Sequence, residues 1–208
     1  MCRTMNITLG IDFDNTLVNY DNVLYQEAFR LGLIPSDMER NKKNIRDKIR
    51  TLPDGEIKWQ KLQVFVYSKG MKNATLFEGV KLFFDACREA AIKVSIVSHK
   101  TEFAAMDKER VNLRDTAINW MEKKRFFDRE GLGLSLDRVY FESTRQEKIE
   151  RIKRIGCTHF IDDLEETFLE ASFPANVERI LYSNERCALK DVKAFFTWKE
   201  IYDYFFAK

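Results

Sequence analysis

The sequence predicts a three-layer α/β/α protein, Rossmann-like in plan, with a mostly parallel five-stranded sheet and a small helical cap inserted after the first strand. Three observations predict it. Ile7-Thr8-Leu9-Gly10-Ile11 is a short, largely apolar run that ends on two carboxylates, Asp12 and Asp14. Four further runs of this kind follow at 92–98, 138–141, 158–161 and 177–182, and helical patterns separate them. The block 19–75 carries helical periodicity and no strong strand. A strand buried on both faces reads as an apolar run, and strands alternating with helices imply parallel pairing through right-handed crossovers.

The elements follow in order. After the first strand, 21–33 is helical, with Val23, Leu24, Ala28, Phe29 and Leu31 at helical spacing, and Gly32 and Pro35 end it. A polar helix is expected over 36–51, its thin apolar stripe being Met38, Ile45 and Ile49. Pro53-Asp54-Gly55 is a turn signal, and 57–67 is read as a third helix. Residues 76–80 re-enter the core, a helix follows, and the second strand runs to Ser98. The span 101–127 reads as mainly helical, and the segment 99–141 is long for one crossover and has room for an extra lobe. Helix 145–155 closes on Gly156 at a C-cap position. A short helix over 165–171 precedes the fifth strand, and 191–206 reads as a terminal helix rich in aromatics, core being the better reading of its apolar face. The expected division is 1–18 with 76–208 as core and 19–75 as cap.

Composition narrows the function classes. A chain of 208 residues with 45% hydrophobic content holds one sizeable domain or a domain with an insert. A net charge of +2 supplies no strong field for nucleic acid or a membrane surface, so neither is expected as a partner. No apolar run reaches the roughly 18 residues of a membrane span, and the early first strand leaves no room for a signal peptide. Cys2, Cys87, Cys157 and Cys187 are scattered and read as reduced core cysteines of a cytoplasmic protein. With only His99 and His159 available, a zinc site is not expected.

Ligands of open α/β sheets bind at the carboxyl ends of strands, which is where Asp12 and Asp14 leave the sheet. Two carboxylates that close repel, and a cation is the usual remedy. Asp12-Phe13-Asp14-Asn15-Thr16-Leu17-Val18 resembles the first motif of the haloacid dehalogenase (HAD) superfamily, most of whose members are Mg²⁺-dependent phosphatases. The rest of the chain extends the resemblance. Ser98, after the second strand, stands where that family has a Ser or Thr that binds the transferred phosphoryl group. Lys148 stands where it has a basic residue ahead of the fourth strand. Arg145, Lys153 and Arg154 compete for that place, but Lys148 lies in the helix's first turn, from which a side chain reaches the strand ends. Asp162-Asp163 matches the acidic fourth motif. The match covers nearly all the chain outside the cap.

By this resemblance Asp12 is the nucleophile, Asp14 the general acid/base, and Ser98 and Lys148 stabilise the transferred group. Mg²⁺ is held by Asp12, the Asp14 carbonyl and one of Asp162 and Asp163, with the choice within the pair open. Hard oxygen donors suit that ion. Thr16 and His99 are expected at the substrate. The implied activity is hydrolysis of a small phosphorylated metabolite through an aspartyl-phosphate. Phosphoryl transfer between sugar positions, as in phosphomutases, and a non-catalytic phospholigand-binding role are the rival readings, while dehalogenation fits poorly with an acid at position 14. The substrate and oligomeric state stay open. The block 19–76 holds eleven basic and seven acidic residues. A charge run is usually a solvated face. Its Arg46 and Arg50 are nevertheless candidates to attract a phosphorylated substrate, with Trp59 and Tyr67 as an apolar wall.

Overall fold

The computed structural model describes residues 7–105, 107–183 and 187–207; Cys2 and Met106 lie outside these. In chain order the elements are β1 (Thr8–Ile11), β2 (Val18–Asn19), α1 (Asp21–Arg30), α2 (Lys42–Arg50), α3 (Gly55–Tyr67), β3 (Thr75–Leu76), α4 (Val80–Glu89) and β4 (Lys93–His99). They continue with α5 (Leu113–Lys123), β5 (Val139–Glu142), α6 (Arg145–Ile155), β6 (His159–Asp162), α7 (Glu165–Leu169), β7 (Glu178–Tyr182), β8 (Val192–Phe195) and α8 (Trp198–Phe206). The chain divides into two compact units: Met1–Leu17, Leu76–Lys100 and Met121–Lys208 form one, Val18–Thr75 and Thr101–Trp120 the other.

The first unit holds a six-stranded sheet in the order β5-β4-β1-β6-β7-β8, every neighbouring pair parallel. The chain starts in the middle, builds outward through β4 and β5, then crosses to β6, β7 and β8. The order therefore reverses beside β1, and a crevice opens at such a switch point. Ile11 pairs with Ile96 on one side and Ile161 on the other. One ladder bond continues past the strand, from the Asp12 amide to the Ile161 carbonyl at 2.8 Å. Gly10 lets β1 lie close to its cover, since a Cβ there would come within 2.6 Å of the Phe160 ring. Val97, Ile149, Ile152, Phe160, Phe168 and Leu181 build the core beneath α6.

The sixth strand corrects the five expected. Residues 192–195 pair with β7 instead of opening the terminal helix. That helix begins only at Trp198, where Thr197 and Glu200 form a capping box; Thr-x-x-Glu is the signal that marks this start. Trp198 is fully buried and packs on Phe83, whose ring also meets Phe205 and Phe206.

In the second unit, Ile45 and Ile49 of α2 are fully buried, and Trp59, Leu62 and Val66 of α3 nearly so. Asn41 caps α2 by accepting from the Lys43 and Asn44 amides. The span 101–127 is less helical than expected, because α5 covers only Leu113–Lys123. The Asp107 carboxylate takes the Glu109 and Val111 amides, and Asn112 takes those of Arg114 and Asp115. Such local bonds compete with helix continuation and then cap it. The Trp120 indole donates to the Ala74 carbonyl at 3.3 Å, which joins 101–120 to the 18–75 block in this unit. Among the described residues, no helix is long and apolar enough to cross a membrane.

Candidate active site

The site lies wholly in the sheet-bearing unit, at the carboxyl ends of β1, β4 and β6. Asp12 follows β1 and is nearly buried, and Asp162 closes β6 and is fully buried. Between them sits the Lys148 ammonium, 2.6 Å from Asp12 Oδ1 and 2.7 Å from Asp162 Oδ2. Lys148 reaches this point because α6 starts where it does. Thr144 accepts from the Glu147 amide and Glu147 accepts in return from the Thr144 amide, so the first turn is pinned beside the strand ends. Of the competing cations, Arg145 pairs with Glu170, while Lys153 and Arg154 lie in the last turn.

Three carboxylates converge here. One oxygen each of Asp12, Asp162 and Asp163 lies within 4.8 Å of the others. Asp162 spends both oxygens locally, one on Lys148 and one on the Leu164 amide. Asp163 is less buried, and its Oδ1 accepts from the Thr16 hydroxyl at 3.4 Å. Burial raises the Asp12 carboxyl most; Lys148 lowers it, and Asp162 and Asp163 raise it again, to about 8. Burial also works against the Lys148 charge, but Asp12 and Asp162 outweigh it and hold the ammonium above the ordinary lysine value. The donor set is all hard oxygen, and a second positive charge at this point would let Asp12 ionise. The residues therefore fit a divalent cation.

Asp14 sits at the turn after Asp12, where Asn15 adopts a left-handed conformation with φ 61° and Thr16 is fully buried. The Trp198 indole holds this turn from below, donating to the Thr16 carbonyl at 2.9 Å. Ser98 is buried at the end of β4. His99 points the other way by strand alternation. Its Nε2 lies 3.0 Å from the Ser143 carbonyl, so that nitrogen carries the hydrogen, and burial holds the imidazole below its ordinary value. Arg46 and Arg50 belong to α2 in the other unit, where they pair with Asp47 and Glu56.

One charged group was not anticipated. Lys100 is buried, with its ammonium 2.7 Å from Asp14 Oδ2. The Ser98-His99-Lys100 spacing at a strand end is the signal that would have found it, since residues two apart share a face.

No family model and no curated protein matches the sequence. Solved structures do match along nearly the full length. A haloacid dehalogenase-like family hydrolase from Streptococcus pneumoniae is 18% identical with a TM-score of 0.56, over 97% of this chain and 99% of that one. A haloacid dehalogenase-like family hydrolase from Xanthomonas campestris is 13% identical with a TM-score of 0.54, over 96% and 95%. A HAD family hydrolase from Deinococcus radiodurans R1, crystallised with bound phosphate and sodium, is 13% identical with a TM-score of 0.51, over 95% and 94%. The chain has the fold of the HAD-superfamily hydrolases, and its Asp12, Asp162 and Asp163 form a cluster that could hold a metal ion.

Proposed function

We propose that this protein is a Mg²⁺-dependent phosphatase that hydrolyses a small phosphate monoester through an aspartyl-phosphate on Asp12. The observation that carries the reading is the buried ammonium of Lys148 shared by Asp12 and Asp162, with Asp163 in reach. Buried charges are costly unless matched, so a cluster of this kind is best understood as built to receive further charge. The phosphate bound by the Deinococcus hydrolase of the same fold is in keeping with a phosphoryl group as that partner.

In this reading the Asp12 carboxylate attacks phosphorus and the bond to the leaving oxygen breaks, with Asp14 supplying that oxygen's proton. Water then attacks the phosphorus of the aspartyl-phosphate, Asp14 takes its proton, and inorganic phosphate leaves with Asp12 restored. Ser98 and Lys148 donate to the phosphoryl oxygens as charge develops on them. Thr16 fixes Asp163 through its hydroxyl. Mg²⁺ would be held by Asp12, the Asp14 carbonyl and one of Asp162 and Asp163, and would neutralise charge on the transferred group.

A chromogenic aryl phosphate assayed with Mg²⁺ and after chelation tests the reading. Turnover should require the metal and release stoichiometric inorganic phosphate. Metal-independent turnover, or none with any phosphate ester, would remove it.

A further inference from the structure

We propose that Lys100 is a positioning residue for Asp14, the group that sets the orientation of the acid/base carboxylate; the role rests on the phosphatase reading above. The backbone at Lys100 is fixed first. Its amide donates to the Glu142 carbonyl at 2.9 Å, which carries the β4–β5 ladder one residue beyond β4. Alternation then turns its side chain to the face that Ser98 shares. The ammonium lies 5.8 Å from the centre of the Phe13 ring. That ring is itself fully buried and edge-packed by Phe126 and Phe141. Phe13, between the two aspartates, is thus the wall against which Lys100 is held.

The pair has a division of labour. Lys148 serves Asp12 and Asp162, while Lys100 serves Asp14. The Lys100 side chain is 3% exposed and that of Asp14 17%, so the pair joins a buried ammonium to a carboxylate that solvent still reaches. Its backbone follows the left-handed Asn15 turn that Trp198 supports, which places the Cα but not the carboxylate. The ion pair at Oδ2 fixes the rotation of the carboxylate about its side-chain torsions. An apolar side chain would fill the same space without the cost of burying an ammonium. The charge is therefore explained by what it holds.

The test combines a kinetic split with a double-mutant cycle, using the full chain, an aryl phosphate and Mg²⁺. Lys100→Met should lower kcat about a hundredfold, the lower range for a lost general acid/base, with KM within about threefold of wild type. Lys100→Arg should recover much of the loss. In an Asp14→Asn background, Lys100→Met should cost almost nothing, because the group it holds is gone. The rise in thermal midpoint on adding Mg²⁺ should persist in Lys100→Met, showing an intact fold and metal site; if that variant unfolds, Lys100→Gln gives the same split. A kcat within threefold of wild type overturns the proposal. So does a rise in KM at unchanged kcat, which would make Lys100 a substrate contact, or an undiminished cost in the Asp14→Asn background. If wild type itself shows no metal-dependent turnover, the phosphatase reading fails, and this role fails with it.

Discussion

In the sheet-bearing unit, Lys148 and its two aspartates are at most 7% exposed, and Lys100 with Asp14 is nearly as enclosed. In the helical unit the pairs are of another kind. Arg50 and Glu56 are 45% and 54% exposed, and Lys69 and Glu109 more so. The geometry of a single contact does not tell the two sets apart, since the distances are 2.6–2.7 Å in both. The surroundings do. Water screens the exposed pairs, which contribute roughly 0–1 kcal/mol each. The buried ones interact far more strongly but carry a desolvation cost that can exceed the gain. Short exposed pairs occur in the sheet-bearing unit too, Lys199 with Asp203 among them, so burial and not length sets the pairs at its strand ends apart.

The comparison breaks most clearly at the nucleophile. Asp12→Asn should reduce turnover by about a thousandfold or more, with the thermal midpoint little changed; a smaller loss would show that Asp12 is not the attacking group. Lys148→Met comes next, because it strands buried carboxylates. It should cost about 3 kcal/mol of stability, read from urea unfolding, and Mg²⁺ should recover part of it. An unchanged unfolding midpoint would mean that the buried pair is energetically idle.

Metal addition sharpens the contrast further. Saturating Mg²⁺ at about a hundred times its Kd should stabilise the wild type by about 2.7 kcal/mol. Asp163→Ala should reduce that response strongly and Asp162→Ala should also weaken it. If calorimetry finds the response intact in both, the acidic pair does not hold the ion.

A half-exposed network lies between the two extremes. Burial opposes the charge of Glu178, but donation from Lys193 and Tyr204 outweighs it and holds the carboxyl below its ordinary value. A depressed carboxyl stabilises the fold above its unfolded value, about 4.3, and loses that contribution as pH falls through the folded one. Glu178→Gln should therefore cost on the order of 1 kcal/mol at pH 7, discounted for exposure, and the difference should vanish as pH falls through the folded value. A gap that stays constant with pH would assign the loss to packing. The smallest effect belongs to the helical unit. Replacing Arg46 and Arg50 by Gln should change stability by no more than about 0.5 kcal/mol. If these arginines attract a phosphorylated substrate, the double variant should also flatten the dependence of kcat/KM on ionic strength; an unchanged salt profile returns them to the solvated surface.

Much of this was legible in residue order alone. An apolar run that ends on Asp12, and another that ends on Asp162, announce buried strands and place their carboxylates at one edge, because strand and side-chain period are local properties. Thr144 and Glu147 announce the start of α6 in the same local way, and with it the reach of Lys148. Thr197 and Glu200 carried an equal signal for α8, and Val192–Phe195 was misread as helix because a short edge strand has no period of its own until β7 pairs with it. Residues 101–112 have helical spacing, yet side-chain bonds from Asp107 and Asn112 win over it. Lys100 is the clearest case of what chain order leaves undecided. Its place two residues after Ser98 gives the face its side chain shares, but neither its burial nor its partner. It becomes a site residue only because β4 lies beside β1, so that Asp14 and the wall of Phe13 meet its ammonium away from water. Pairing between distant segments, and the burial that follows from it, are properties of the folded chain.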